Sequence, residues 1–396
     1  MLRLVIGVTL FLTLIGVVLY GMGWRLLGSP RGARGWRRTC WWVYGFYALL
    51  ALFSVPVVRL LEPSLLREIF QWCGLTALGL TALLFGLVVV RELVLAVYGL
   101  WTFFSGPPLD EAALERAGSR RDFLRKSSAA VVVGATAGLT ARGISNARET
   151  AALKEVTIPV AGLDPALDGL KVLQLSDIHV GDTIGRGYFQ RVVDRAMSVG
   201  AELICVTGDL VDGTVDQLRH DIEPVDQLSA PLGVWFVTGN HEYYSGPIEW
   251  IEELKRRGVR VLEDSHAVLS RGGAPFVLAG IHDRSASTVV PEHASDPVKA
   301  LEGAPATSLC ILMAHQPISY EQVEGLPVDL QLSGHTHGGQ IWPFGYLVPL
   351  QQRFIAGLHR VFGRTWLYIS RGTGYWGPPM RVGSPSEITV ITIRRG

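Results

Sequence analysis

Five times this chain runs a short apolar stretch into a residue able to ligate a metal: Leu173 to Asp177, Leu203 to Asp209, Val234 to Asn240, Leu309 to His315 and Leu330 to His335. Each stretch is about strand length, rich in Leu or β-branched residues and bounded by loop formers, which reads as a buried strand ending in a loop. Open α/β sheets hold their ligand sites at the carboxyl ends of strands. Five such ends presenting two Asp, one Asn and two His to one rim would make a polynuclear metal site. Mixed nitrogen and oxygen donors suit Mn, Fe, Co, Ni or Zn better than Mg or Ca.

The full blocks are Asp177-Ile178-His179, Gly208-Asp209-Leu210-Val211-Asp212, Gly239-Asn240-His241-Glu242, the lone His315, and Gly334-His335-Thr336-His337. The gaps from His179 to Asp209 and from Asp209 to Asn240, 30 and 31 residues, each fit one helix and one returning strand. That is βαβ spacing. The ordered set resembles the calcineurin-like metallophosphoesterases, whose pattern reads DxH, GDxxD, GNH[DE], H and GHxH, and the resemblance covers roughly Glu155 to Arg394. One block alone would carry little, but five in order with no ligand missing are specific.

The resemblance implies an α/β catalytic domain, a four-layer α/β/β/α sandwich of two facing mixed sheets with the site at their shared rim, and two divalent metal ions as cofactors. By residue-wise resemblance Asp209 bridges the two ions, Asp177, His179 and His337 complete the first, and Asn240, His315 and His335 complete the second. Such a pair suits hydrolysis of a phosphoester, because two ions about 3.5–4 Å apart hold an activated water and the phosphoryl oxygens together. Two carboxylates against two divalent cations leave the site positive, which favours an anionic phosphate. The resemblance also makes His241 a proton donor to the leaving oxygen and Asp212 the carboxylate that orients it; a neighbouring negative charge favours the imidazolium. Taken singly, His241 reads as a loop histidine and Asp212 as a helix N-cap.

Other residues are less committed. Glu242, Tyr243 and Tyr244 read equally as cleft lining and as packing. His282 and Asp283 close a further apolar run but match no ligand position, so they read as a structural loop. His220, His266, His293 and His359 read as ordinary surface residues, and Arg186 as solvated, with phosphate contact the alternative. Gly338-Gly339-Gln340 and Arg371-Gly372-Thr373-Gly374 are either turns or close backbone approaches to the site.

The first 150 residues have a different character. Charge-free runs from Leu4 to Trp24, Thr39 to Val58 and Ile69 to Val90 are each about long enough to span hydrocarbon. Leu93 to Phe104, also apolar, follows Arg91 and Glu92 and either extends the third run along the interface or makes a fourth span. The loop after the first run carries Arg25, Arg31, Arg34, Arg37 and Arg38, whereas that after the second has Arg59 and Arg67 beside Glu62 and Glu68. The positive-inside rule then places the first loop in the cytoplasm.

Within the next basic stretch, Ser119-Arg120-Arg121-Asp122-Phe123-Leu124-Arg125-Lys126 resembles a twin-arginine export signal, followed by a Ser/Ala/Val/Gly run from Ser127 to Ala141. Such signals are read by a translocase that moves folded proteins. The alternative is a basic linker. A crossing there would put Glu155 onward outside the cytoplasm, with Ser145-Asn146-Ala147 as a candidate cleavage site.

The expected organisation is therefore a transmembrane helical region over residues 1–104, a basic linker over 105–150 and a catalytic domain over 151–396, in a multi-pass cell-membrane protein. The first 150 residues hold 16 basic and 8 acidic side chains, the remainder 20 and 27. An acidic catalytic part argues against nucleic acid as partner. The expected partners are the lipid bilayer, a phosphorylated small-molecule or lipid substrate, and the twin-arginine translocase. The expected reaction is hydrolysis of a phosphoester or pyrophosphate; the alternative is a membrane sensor or scaffold that binds a phosphorylated ligand. Cys40, Cys73, Cys205 and Cys310 fall in apolar runs and suggest neither a disulfide nor a zinc knuckle.

Overall fold

β3 (Leu203–Thr207) alternates between two cores: Leu203 and Cys205 join an apolar cluster on one face, Ile204 and Val206 a cluster on the other. A strand buried on both sides needs an unbroken apolar run, which is why these segments lack the polar alternation of a half-exposed strand. The computed structural model describes residues 2–31, 33–58, 65–105 and 111–396. They divide into two units: Met1–Ser145 with Ile341–Pro343 and Gly377–Val382, and Asn146–Gln340 with Phe344–Trp376 and Gly383–Gly396.

The larger unit holds two six-stranded mixed sheets. The first runs in the order β1 (Ala152–Val160), β12 (Glu387–Arg395), β2 (Lys171–Leu175), β3, β4 (Val234–Val237) and β5 (Arg260–Val261). Its segment β2 to β5 is parallel, and β12 is antiparallel to β2. The second runs β10 (Gly357–Val361), β11 (Thr365–Ile369), β9 (Leu330–Ser333), β8 (Cys310–Met313), β7 (Ala274–Gly280) and β6 (Ser265–Arg271), with parallel pairing from β11 to β7.

Leu203, Cys205, Trp235 and Val237 of the first sheet share a core with Phe276, Leu278, Ile311, Met313 and Leu332 of the second. α5 (Arg186–Met197) and α8 (Pro247–Arg256) cover the first sheet's other face through Phe189, Val192, Trp250 and Leu254. α9 (Pro297–Ala300) and Val323 cover the second sheet's outer face. The result is the α/β/β/α layering expected from the sequence. Two short helices, α6 (Val215–Leu218) and α7 (Asn240–Ser245), lie in the loops after β3 and β4.

The smaller unit contains α1 (Leu2–Leu27), α2 (Trp36–Val58), α3 (Leu65–Ser105) and, as far as Ser145, α4 (Glu111–Arg148). Leu19 and Met22 of α1, Leu84 and Val88 of α3 and Val132 of α4 meet in one cluster, with Tyr44 and Tyr47 of α2 against it. Among the described residues α3 has the length and apolar composition to cross a membrane, and Thr13–Leu27 is a shorter apolar helix. α3 runs on through Arg91, whose Nε donates to Ser128 Oγ at 2.9 Å and whose guanidinium also donates to Arg125 O at 2.9 Å, tying α3 to α4. The Arg120-Arg121 segment is thus part of a continuous helix; residues 106–110 of the expected linker, and Arg59 and Glu62 of the charge bias, lie outside the described residues.

This unit also takes in Ile341–Pro343 and Gly377–Val382. Gly79 and Gly86 sit seven residues apart on α3. A Cβ at Gly79 would lie 2.6 Å from Met380 Cε, and one at Gly86 would lie 2.7 Å from the Trp342 ring. Hydrogen in place of a side chain is what lets both segments seat on the helix.

Candidate metal centre

Asp177, Asp209, His315 and His335 each stand two residues beyond the end of β2, β3, β8 and β9, and Asn240 three beyond β4. Parallel pairing brings all five ends to one rim. Asp177, His179, Asp209, His335 and His337 have φ of 53°, 56°, 52°, 69° and 50°, five of eight such non-glycine residues among those described. The left-handed region is costly for a residue with a side chain and persists where surrounding structure imposes it, typically at functional sites. Here each departure turns a donor off its strand end toward the others.

The donors form two groups, Asp177 with His179 and His337, and Asp209 with His315 and His335. In the first, His179 Nε2 is 3.1 Å from His337 Nε2, which is 3.4 Å from Asp177 Oδ1. Asp209 Oδ2 faces both groups, 3.0 Å from His315 Nε2 and 3.8 Å from His179 Nε2. Two buried atoms without a hydrogen-bond partner belong to this set: Asp177 Oδ2 and Asn240 Oδ1. Buried polar atoms are rarely left unpaired. Oxygen and imidazole donors converging in this way are what a divalent ion would satisfy, so the residues fit the metal that the sequence implies.

Hydrogen bonds behind the donors fix which atom each presents. His315 Nδ1 bonds Thr207 O at 2.8 Å, turning Nε2 inward. Asp212 Oδ1 takes Nδ1 of both His179, at 3.1 Å, and His241, at 2.5 Å. His335 N–H donates to Asp177 Oδ1 and His241 N–H to Asp209 Oδ1, both at 2.8 Å. Gln174 Nε2 donates to Thr207 Oγ1 at 2.9 Å and Ser333 O at 3.0 Å, joining the sheets beneath the site. A Cβ on Gly239 would lie 2.2 Å from Asp209 Oδ1, which explains the glycine before Asn240.

Electrostatics follow the geometry. Burial pushes the Asp177 carboxyl up. It acts on Asp209 too, but His315, His241 and His179 hold that carboxyl well below its ordinary value. Burial and the charge of His315 push His335 down to about 3, leaving a neutral imidazole with a lone pair to give. Burial alone would lower His241; the Asp212 hydrogen bond and the Asp209 charge outweigh it and raise the imidazole to about 9.

The less committed residues resolve in different ways. Glu242 does not line a cleft. It is fully buried, and its carboxylate accepts from the N–H groups of Gly239, Asp209, Leu210 and Val211 at 2.6, 2.9, 2.8 and 3.3 Å. It is the N3 acid of a capping box on α7, braced across to the Asp209 loop. Tyr243 is buried, whereas Tyr244 is 69% exposed with its ring 5.2 Å from His241. Trp376, which the motifs do not mark, is 54% exposed and 5.4 Å from the same imidazole. Gly374 N–H donates to Asp177 O at 2.9 Å, a close backbone approach to the site. Arg186 pairs with Glu223, and Asp283 accepts from Gln316 Nε2 at 3.0 Å and from Ser285. His266 and His359 bond main-chain carbonyls.

The family model for calcineurin-like phosphoesterases matches residues 170–339. A zebrafish (Danio rerio) transmembrane protein with metallophosphoesterase domain is 40% identical over 66% of this chain and 61% of its own length, and the Bos taurus protein of that name is 38% identical over 67% and 62%. The chain thus spans about three fifths of the length of these curated relatives. A metallophosphoesterase of uncharacterised role from Aquifex aeolicus is 30% identical over 57% of this chain and 85% of its own. The chain belongs to the calcineurin-like phosphoesterase family.

Proposed function

We propose that this chain hydrolyses a phosphoester or pyrophosphate bond at a dinuclear metal centre, on a phosphodiester or lipid-linked substrate close to the membrane. The observation that carries the reading is the shared Asp212 carboxylate: it fixes His179 and His241 through Nδ1, so that Nε2 of each is left for other work. Asp177, His179 and His337 would hold one divalent ion, Asn240, His315 and His335 the other, with Asp209 shared. Bound there, the ions supply Lewis acidity that activates water and neutralises phosphoryl charge. His241, its Nδ1 held by Asp212, would give a proton from Nε2 to the departing oxygen. A scaffold that only binds a phosphorylated ligand has no use for such a donor.

Tyr244 and Trp376 flank His241 with exposed rings, which supports a leaving group with an apolar or planar portion. The apolar helix α3 and the relatives named transmembrane proteins support anchoring in a membrane. We extend this to three N-terminal spans, with the RR segment engaging a twin-arginine translocase and the catalytic domain outside the cytoplasm.

The test is turnover by the full chain in detergent, loaded with Mn2+ or Zn2+, on aryl phosphodiesters, lipid pyrophosphates and nucleotides. Metal-dependent release from one class, abolished by His241→Ala for a poor leaving group, supports the reading. Binding of metal with no turnover of any class would favour the scaffold.

A further inference from the structure

A second cluster of metal-type donors lies apart from the centre described above. Glu263 follows β5, His282 follows β7 by two residues and His293 ends the 3-10 turn Pro291–His293; one donor atom of each lies within 4.8 Å of the others. The two imidazoles are stacked, with centroids 4.1 Å apart and planes 13° apart. His282 Nδ1 is 3.1 Å and His293 Nδ1 2.8 Å from the same atom, the Tyr243 hydroxyl oxygen.

A phenolic oxygen has one proton to give and can accept through its lone pairs. If it accepts from both Nδ1–H groups, both rings carry an unprotonated Nε2 for a third partner. That is the hydrogen-bond arrangement that fixes the tautomer of metal-bound histidine. Burial pushes the His282 imidazole down to about 3, so it stays neutral. The cation facing Glu263 in this structure is the Lys255 ammonium, on a side chain about half exposed and able to swing away.

We propose that Glu263, His282 and His293 form a further divalent-metal site, separate from the catalytic pair. Two imidazoles and one carboxylate are a donor set for Zn2+, with water completing the coordination. In tetrahedral coordination these donors would stand roughly 3.4 Å apart, so side-chain adjustment alone suffices. The ion would pin His282 and His293 to Tyr243, and Tyr243 is on α7, which also carries Asn240 and His241. Occupancy would thereby hold the helix that presents a metal ligand and the proton donor.

The test uses metal-stripped full-length protein titrated with Zn2+, and with Co2+ as a probe whose visible absorption reports coordination. Glu263→Gln and His293→Ala should each remove one equivalent and its share of the Co2+ bands, while leaving the equivalents that Asp209→Asn removes. The partly exposed, nearly isosteric Glu263→Gln decides the matter should His293→Ala disturb folding. Wild-type stoichiometry and affinity in Glu263→Gln would overturn the proposal, as would a Co2+ spectrum unchanged by it.

Discussion

Asp212 Oδ1 lies 2.5 Å from His241 Nδ1, and the same oxygen is 3.1 Å from His179 Nδ1. One carboxylate thus orients a metal-ligand candidate and a proton-donor candidate together, so removing it should have a different signature from removing either imidazole.

His241→Ala should leave metal content close to wild type, because no other donor depends on its ring. Turnover of a substrate with a basic leaving group should fall about 10²–10⁴-fold, the usual range for general acid catalysis. A leaving group that departs without a proton should lose much less. Equal losses on both, measured as kcat/KM, would leave His241 a phosphate-binding role only.

Asp212→Asn should weaken metal binding as well as turnover. An amide can offer its NH2 group to Nδ1, which favours the tautomer that protonates Nε2 and blocks the inward lone pair of His179. Loss of such outer partners costs roughly 10–100-fold in metal affinity, and titration of stripped protein would read it. Unchanged affinity would separate Asp212 from the metal centre.

In metal-stripped protein the His241 imidazole should titrate near 9, against 6.5 ordinarily, driven by Asp212 and Asp209 over the opposing effect of burial. A folded-state value above the unfolded one stabilises the fold fully below about pH 6.5 and loses that contribution as pH rises through about 9. NMR titration of the ring gives the value directly. Thermal stability of stripped wild type should fall across pH 6.5–9, and that slope should flatten in His241→Ala. Metal loading should lower the ring's value, since two nearby cations disfavour the imidazolium.

Glu242→Ala should destabilise the fold without touching substrate. Four buried backbone N–H groups lose their acceptor, and each unsatisfied buried donor costs about 1–3 kcal/mol. Partial relaxation around the cavity should leave a loss of several kcal/mol in denaturant unfolding. A variant as stable as wild type would mean that the brace is redundant.

Much of this centre could be read from the chain because its donors sit at strand ends. The apolar run that makes a doubly buried strand also marks where the donor must stand, so Asp177, Asp209, Asn240, His315 and His335 were legible by position and residue type. What stayed hidden depends on contacts distant in sequence. Nothing local distinguishes Glu242 as a brace from Glu242 as cleft lining, although its N3 position after Gly239 was a capping signal. Trp376 approaches His241 across 135 residues of chain, and His293 reaches Tyr243 across 50. Gly79 and Gly86 of α3 gave no warning that Met380 and Trp342 would pack on them. The helical continuity of α3 through Arg91 and Glu92 was the extension expected, and Arg91 finds its partners on α4.

A pair of metal ions held through Asp209 is tested by the metal content per chain of full-length wild type and Asp209→Asn, prepared identically, beside their turnover. Asp209 Oδ2 faces His315 and His179 at once, so the variant should lose both catalytic ions, two equivalents relative to wild type, together with its activity. An Asp209→Asn protein that kept the full wild-type equivalents and the wild-type rate would rule out a metal pair held through Asp209.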